Sequence, residues 1–175
     1  MPRSKSWIRR FVPEQLEPPR RGPWRRLLAR TEQVASLLGR APRQTPEHAL
    51  GRSGEELAYW ALREHGYTVI ARNLRLRVPE GELDLIAYEG QPPELVFVEV
   101  KTRAREGQFL AEDAVDTAKR LRLIRLARAW RRRRHYAGAY RFDMVVVYGP
   151  DEARPRITLH RRAFSEAGVL KRPHA

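Results

Sequence analysis

The stretch from Glu82 to Arg103, ELDLIAYEGQPPELVFVEVKTR, leaves this chain few folds to choose from. Two runs rich in large and β-branched apolar residues flank Gly90-Gln91-Pro92-Pro93, a punctuation that ends one strand and starts the next. A four-residue loop sets Glu89 opposite Glu94, and the period of two then fixes every other partner: Ile86 with Phe97, Asp84 with Glu99, Glu82 with Lys101. Direct cross-strand partners have Cβ atoms roughly 4.5–5.5 Å apart, and Lys101 lies about 6.6 Å further along the Glu99 face. Three ionic side chains thus share one patch. The opposite face carries Leu83, Leu85 and Ala87 against Val96, Val98 and Val100, and the Asp84 face also holds Ile86, Tyr88, Leu95 and Phe97, so the pair reads as buried on both faces at one end.

Two carboxylates at the end of a buried sheet repel each other and lose hydration, so they need compensation. Two readings supply it. In one, Lys101 forms a salt-bridge network with Glu99 and Glu82. In the other, Asp84 and Glu99 hold a hard divalent ion such as Mg²⁺, which takes one or two carboxylates, keeps several waters and accepts phosphate oxygens. The second suits phosphodiester hydrolysis, with Lys101 positioning the attacking water or offsetting the developing charge. Glu55 falls at helical spacing with the apolar Ala58, Tyr59 and Leu62, where it could hold a metal-bound water or simply answer the helix N-terminal dipole. Asp143, in RFDMVVVY, is either a fourth ligand or the acceptor of a hydrogen bond at a strand start, the simpler of the two.

Composition narrows the chemistry. The 175 residues contain no cysteine, which removes disulfides, Cys-ligated zinc, iron–sulfur centres and thiol catalysis. The five histidines have no metal-site spacing, and no phosphate-binding Gly-rich loop or dinucleotide fingerprint occurs. A net charge of +14 favours a polyanionic partner, nucleic acid before an acidic membrane surface. Of the 35 basic residues 31 are Arg, so the few lysines, Lys101 and Lys119 among them, stand where a compact ammonium has been kept. No apolar run has the length of a membrane span and the first residues lack a signal-like stretch, so the expectation is a soluble, cytoplasmic protein.

Residues 1–50 read as a basic, Pro-rich extension with a short amphipathic helix over Trp24–Leu38, either docked, disordered or touching a membrane surface. Residues 51–165 read as the compact domain and 166–175 as a tail. The domain opens with GRSGEELAYWALREHGY, where Ser53 and Glu56 have capping-box spacing and Gly66 supplies a stop, predicting a helix near 54–65. Strands follow over YTVIARNLRLRV, ELDLIAY and LVFVEVKTR, with a turn at Pro79-Glu80-Gly81 between the first two. Next come a helix from Ala111 to His135, the strand RFDMVVVY and a short strand at RITLH. Three strands can form a meander, while the intervening helix makes the third and fourth a parallel pair. The second helix carries Lys119, Arg120, Arg122, Arg125, Arg128 and Arg131–Arg134, read as unpaired cations suited to a phosphate backbone. Arg72, Arg75, Arg77, Arg103 and Arg105 flank the carboxylate patch. Backbone contacts of this kind select nucleic-acid shape over base sequence.

The segments GRSGEELAYWALREHGY, ARNLRLRVPEGELDLIA, LVFVEVKTR, the Lys-Arg-bearing helix and RFDMVVV together resemble the YraN family of bacterial proteins. That family is similar to the restriction-endonuclease-like PD-(D/E)XK nucleases and to archaeal Holliday junction resolvases. The resemblance spans about residues 51–148 and implies an α/β restriction-endonuclease-like core (αβββαβ) with a mixed central sheet flanked by helices. It places the superfamily's metal-binding Asp on Asp84, its Glu-x-Lys on Glu99 and Lys101, and the helix Glu of resolvase-like members on Glu55. Phe109-Leu110 stands where the family shows Phe-Gly. The implied activity is a Mg²⁺- or Mn²⁺-dependent endonuclease on branched or structured DNA. A homodimer is expected because two strands must be cut in a junction, and the charge pattern marks Arg75, Arg77, Arg103, Lys119, Arg120, Arg122 and Arg125 as the nucleic-acid contacts. The alternative is a non-catalytic nucleic-acid-binding or partner-recruiting module on the same fold.

Overall fold

The computed structural model describes residues 13–18, 46–104 and 117–170. The helix expected over 24–38, Arg105, Phe109-Leu110 and the segment from Ala111 to Asp116 lie outside the described residues. The elements in chain order are β1 (Glu14–Leu16), α1 (Pro46–Glu64), β2 (Thr68–Arg77), β3 (Glu80–Glu89), β4 (Glu94–Arg103), α2 (Thr117–Arg133), β5 (Tyr140–Tyr148), β6 (Arg156–Phe164) and α3 (Glu166–Leu170). One six-stranded sheet has the order β1-β6-β5-β4-β3-β2, with β4 and β5 parallel and every other pair antiparallel. From α1 to β5 this is the αβββαβ order of a restriction-endonuclease-like core. No helix among the described residues is long and apolar enough to cross a membrane.

The strand alternation splits the apolar residues into two layers. On one face Leu57, Ala58, Ala61 and Leu62 of α1 pack on Leu85, Ala87, Val96, Val98, Val100, Val145 and Val147. On the other, Leu123, Ile124, Leu126, Ala127 and Trp130 of α2 pack on Ile86, Leu95, Phe97, Phe142, Met144 and Val146. The β3–β4 register is the one the loop length dictates, running from Glu89↔Glu94 to Leu85↔Val98. Leu83 departs from the expectation: it joins the α2 layer, not Leu85 on the α1 side. The break in alternation falls at Asp84, which lies between the Arg72↔Leu85 and Leu74↔Leu83 pairs, facing Asn73 of β2 with its left-handed φ of 47°. Asn tolerates that conformation better than most residues.

Several boundaries differ from the sequence reading for local reasons. Helix α1 starts at Pro46, so Ser53 lies inside it and the Ser53–Glu56 capping box does not form; proline suits a first helical turn. Glu56 instead accepts a hydrogen bond from Trp60 Nε1 (2.7 Å) and pairs with Arg72. Glu80 and Gly81 belong to β3, leaving Val78-Pro79 as the connection from β2. β6 continues to Phe164 through an irregularity opposite Phe142 and Met144. Ser165 then accepts the Gly168 amide (3.1 Å) as an N-cap of α3, whose Val169 is buried in the α2 layer, so the expected tail begins with a docked helix. Within residues 1–50, Glu14–Leu16 extends the sheet by pairing with β6.

Gly54 sets how closely α1 approaches the site-bearing end of β4. A Cβ built there would lie 3.0 Å from the Cβ of Thr102 and closer still to its hydroxyl and methyl groups. A β-branched side chain has no far end that can swing away. Gly54→Val is therefore expected to lower stability by about 1–3 kcal/mol, measured as a shift of the urea midpoint. Much of that loss should return in the Gly54→Val/Thr102→Ala double variant, and strict additivity of the two substitutions would contradict the assigned contact.

Candidate active site

Beyond Leu85↔Val98 the β3–β4 ladder gives way to a side chain. The backbone N–H of Val100 donates to Asp84 Oδ2 at 2.8 Å, so a carboxylate oxygen takes the position of the next main-chain acceptor. Alternation along β4 directs Leu95, Phe97 and Glu99 towards α2, leaving Glu99 4% exposed. Two ammonium groups reach the same oxygen of Glu99. Lys101 Nζ lies 3.3 Å from Oε1, and Lys119, from α2, forms an ion pair with that atom too. Glu55 arrives from α1, where Asn73 Nδ2 donates to its Oε2 at 2.8 Å. Five elements, α1, β2, β3, β4 and α2, thus each bring a polar group to one end of the sheet.

The charges strain one another. Burial and the neighbouring Glu99 carboxylate push Asp84 up to about 7, with Glu55 adding to the shift and the Val100 amide and Lys119 opposing it. Burial and the nearby Lys119 lower Lys101 against the pull of Glu99. Burial also works against the Lys119 ammonium, but the Glu99 and Asp84 carboxylates outweigh it and raise its pKa. Among the described residues no three His, Asp or Glu side chains converge as a ready-made metal cage. What the site offers is a pair of hard oxygen donors whose mutual repulsion a small divalent ion would relieve, and Mg²⁺ needs only one or two protein carboxylates besides water. The donor set fits such an ion.

Of the expected salt-bridge network, Lys101–Glu99 forms but Glu82 turns away to Arg75 Nε at 3.0 Å. Asp143 is fully buried on β5 beside Val98 of β4, and its side chain is claimed by other groups. It accepts Tyr67 Oη (3.0 Å), Arg141 Nε (3.0 Å) and the Arg162 amide (2.7 Å), a structural assignment.

The basic residues divide. Arg75 and Arg77 are exposed at the end of β2, Arg122 and Arg125 are exposed on α2, and Arg103 donates to the Thr102 carbonyl (3.2 Å) at the end of β4. Arg122 lies against Gly81 of β3. The α2 cations are not the unpaired row the sequence suggested. Lys119 is held by Glu99, Arg128 makes a two-pronged contact with Glu166 of α3 at 3.0 Å each, and Arg131 lies 3.8 Å from the Tyr140 ring centroid. Arg120 is half-buried, 5.9 Å from the Phe164 ring centroid. These partners come from β4, β5, β6 and α3, other elements of the chain, which is why helical spacing alone could not reveal them. Lys119 as a member of the carboxylate site and Asn73 as the support of Glu55 are the two residues that sequence reasoning missed. Lysine scarcity had marked the first, and an asparagine inside a strand run was the available signal for the second.

The model of an uncharacterised protein family, UPF0102, matches residues 54–147, which includes every one of the site residues above. A UPF0102 protein of Koribacter versatilis is 47% identical over 124 residues, covering 70% of this chain and 85% of the relative. One from Solibacter usitatus is 45% identical over 123 residues, covering 70% and 89%. A third, from Rhodopirellula baltica, is 42% identical over 123 residues, covering 69% and 72%.

A raised carboxyl pKa has a definite consequence for metal-free stability. Between the ordinary Asp value near 4 and about 7, the folded protein retains a proton on Asp84 that the unfolded chain has released. Stability from this group is therefore full at the acid end and is lost as pH rises to 7, with a slope of at most about 1.4 kcal/mol per pH unit. His160, lowered by burial, acts with the opposite sign below the ordinary His value, so the comparison must be with a variant that retains it. Urea titrations in chelator at pH 4.5 and 7.5 should show Asp84→Asn gaining on the wild type as pH rises. Parallel pH profiles for the two proteins would refute the shift.

Proposed function

We propose that this chain, which belongs to the uncharacterised protein family UPF0102, the YraN family, is a metal-dependent endonuclease that hydrolyses phosphodiester bonds in branched or otherwise structured DNA. The observation that carries this reading is the convergence of Asp84, Glu99 and Lys101 at a sheet end. Exposed Arg75, Arg77, Arg122 and Arg125 lie on the elements around it. Asp84 and Glu99 would hold Mg²⁺ or Mn²⁺. Bound there, the ion would lower the pKa of a water and offset charge on the attacked phosphate. Lys101 presents a compact ammonium beside Glu99 that can orient the attacking water and face the developing negative charge. Glu55, fixed through Oε2 by Asn73, keeps its other oxygen to accept a hydrogen from that water. The arginines and the α2 surface would grip the backbone, giving affinity without a base code. A homodimer suits a substrate in which two strands are cut.

The test is cleavage of labelled four-way, flap, single-stranded and linear DNA with Mg²⁺ or Mn²⁺. Asp84→Ala and Lys101→Ala are each expected to lower the rate by a factor on the order of 10²–10³ while retaining DNA binding. Metal-dependent cutting that persists in Asp84→Ala would overturn the assignment. A folded protein that binds DNA and cuts none of these substrates would instead support a binding module. Replacing Arg77, Arg122 and Arg125 together by Ala should weaken binding to all DNA alike and reduce the slope of log K against log salt by up to about 3, whatever the fate of catalysis.

A further inference from the structure

Lys119 holds a place that no phosphate contact requires. Its ammonium is paired to Oε1 of Glu99, the same atom that Lys101 approaches at 3.3 Å, and Glu99 is 4% exposed. Two of the four lysines in a chain with 31 arginines therefore meet on one carboxylate oxygen. An ammonium is a compact point charge on a flexible stem, whereas a guanidinium engages several acceptors in a fixed fork. In the site without a divalent ion the buried Glu99 carboxylate is thus balanced by both cations. An oxygen that carries an ammonium cannot at the same time carry a small dication without close like-charge contact.

We infer that Lys119 is a resident counter-cation: it occupies Glu99 while the site is metal-free and gives that oxygen up when a divalent ion binds, so that ammonium and metal are alternative occupants. The inference rests on the metal-binding reading of Asp84 and Glu99. It makes the apparent metal affinity depend on how often Lys119 stands aside. If the paired state accounts for about nine-tenths of the metal-free molecules, removing the competitor tightens metal binding by about tenfold. Lys119 is then a positioning residue for the empty site, distinct from the exposed arginines further along α2.

The experiment uses the full chain and Mn²⁺ alone, with binding followed by calorimetry and thermal unfolding recorded in chelator and in Mn²⁺. Lys119→Met removes charge and donor; Lys119→Gln keeps a donor and serves if the first variant folds poorly. Both are expected to bind Mn²⁺ about tenfold more tightly than the wild type. Both should also have a lower Tm in chelator that Mn²⁺ restores. Wild-type binding with variants that bind no tighter, or more weakly, overturns the inference while leaving the metal site standing. Absence of Mn²⁺ binding in the wild type, or binding that Asp84→Ala leaves intact, overturns the metal reading and this inference with it.

Discussion

The burial of Glu99 is the constraint to which the rest of the site answers. Its strand is apolar on both faces, with Leu95 and Phe97 preceding it towards α2 and Val98 and Val100 on either side of it in sequence. An ionised carboxylate in such surroundings costs several kcal/mol unless charge and hydrogen bonds compensate it. Lys101 comes two residues later on the same face, and α2 contributes Lys119 from across the layer. Asp84 meets the same low-dielectric end of the sheet and is driven towards its protonated form, while the Val100 amide holds it in place. Helix α1 can bring Glu55 near only because Gly54 lets it rest on Thr102. The fold thus spends its close packing where its charges are least comfortable.

At the opposite end of the sheet the same physics is closed. Arg141, 7% exposed, donates to Asp143, Glu94, Glu89 and Tyr67, and burial together with Asp143 pushes the Tyr67 hydroxyl up. Asp143 also takes the amide of Arg162, whose left-handed φ of 51° sits at the irregularity in β6. Arg161 joins Glu89 to Glu14, tying the strand from the N-terminal extension to this network. Each acid there has a partner from another strand. Such a network, broken on one side, leaves an uncompensated buried charge.

The parts of this structure that were legible in sequence are those set by short-range geometry. A four-residue loop with glycine and prolines set the β3–β4 register from Glu89↔Glu94 to Leu85↔Val98; the expected Asp84↔Glu99 and Glu82↔Lys101 pairs fall beyond its end, where Asp84 accepts the Val100 amide instead. A helix between two apolar strands fixed the parallel β4–β5 pair. What could not be read depends on contacts between distant segments. Ser53–Glu56 had the spacing of a cap, but α1 extends back to Pro46 and Glu56 is engaged by Trp60 and Arg72. Leu83 lies on the α2 side because the alternation of β3 breaks at Asp84, which no period of two announces. The α2 cations looked alike at helical spacing, yet Glu99, Glu166 and Tyr140 claim three of them. Local pattern gives direction and register; it does not give the partner of a long, flexible side chain.

The two ends of the sheet also explain why the chain, so strongly biased to arginine, keeps lysine where it does. At the closed end one guanidinium uses its fork to bind four side chains at once, an arrangement that no single ammonium could satisfy and that has no cause to open. At the other end two ammonium groups converge on one oxygen, leaving neither locked in a planar geometry. A point charge on a four-carbon stem can leave its partner without dismantling a hydrogen-bond network, and it can re-form the pair from many directions. Had the carboxylates at Asp84 and Glu99 existed only to be neutralised, arginine would have done so with more hydrogen bonds and from the commoner residue. On the proposed metal-binding reading, lysine at both positions is the arrangement expected, because the counter-charge must then be exchangeable.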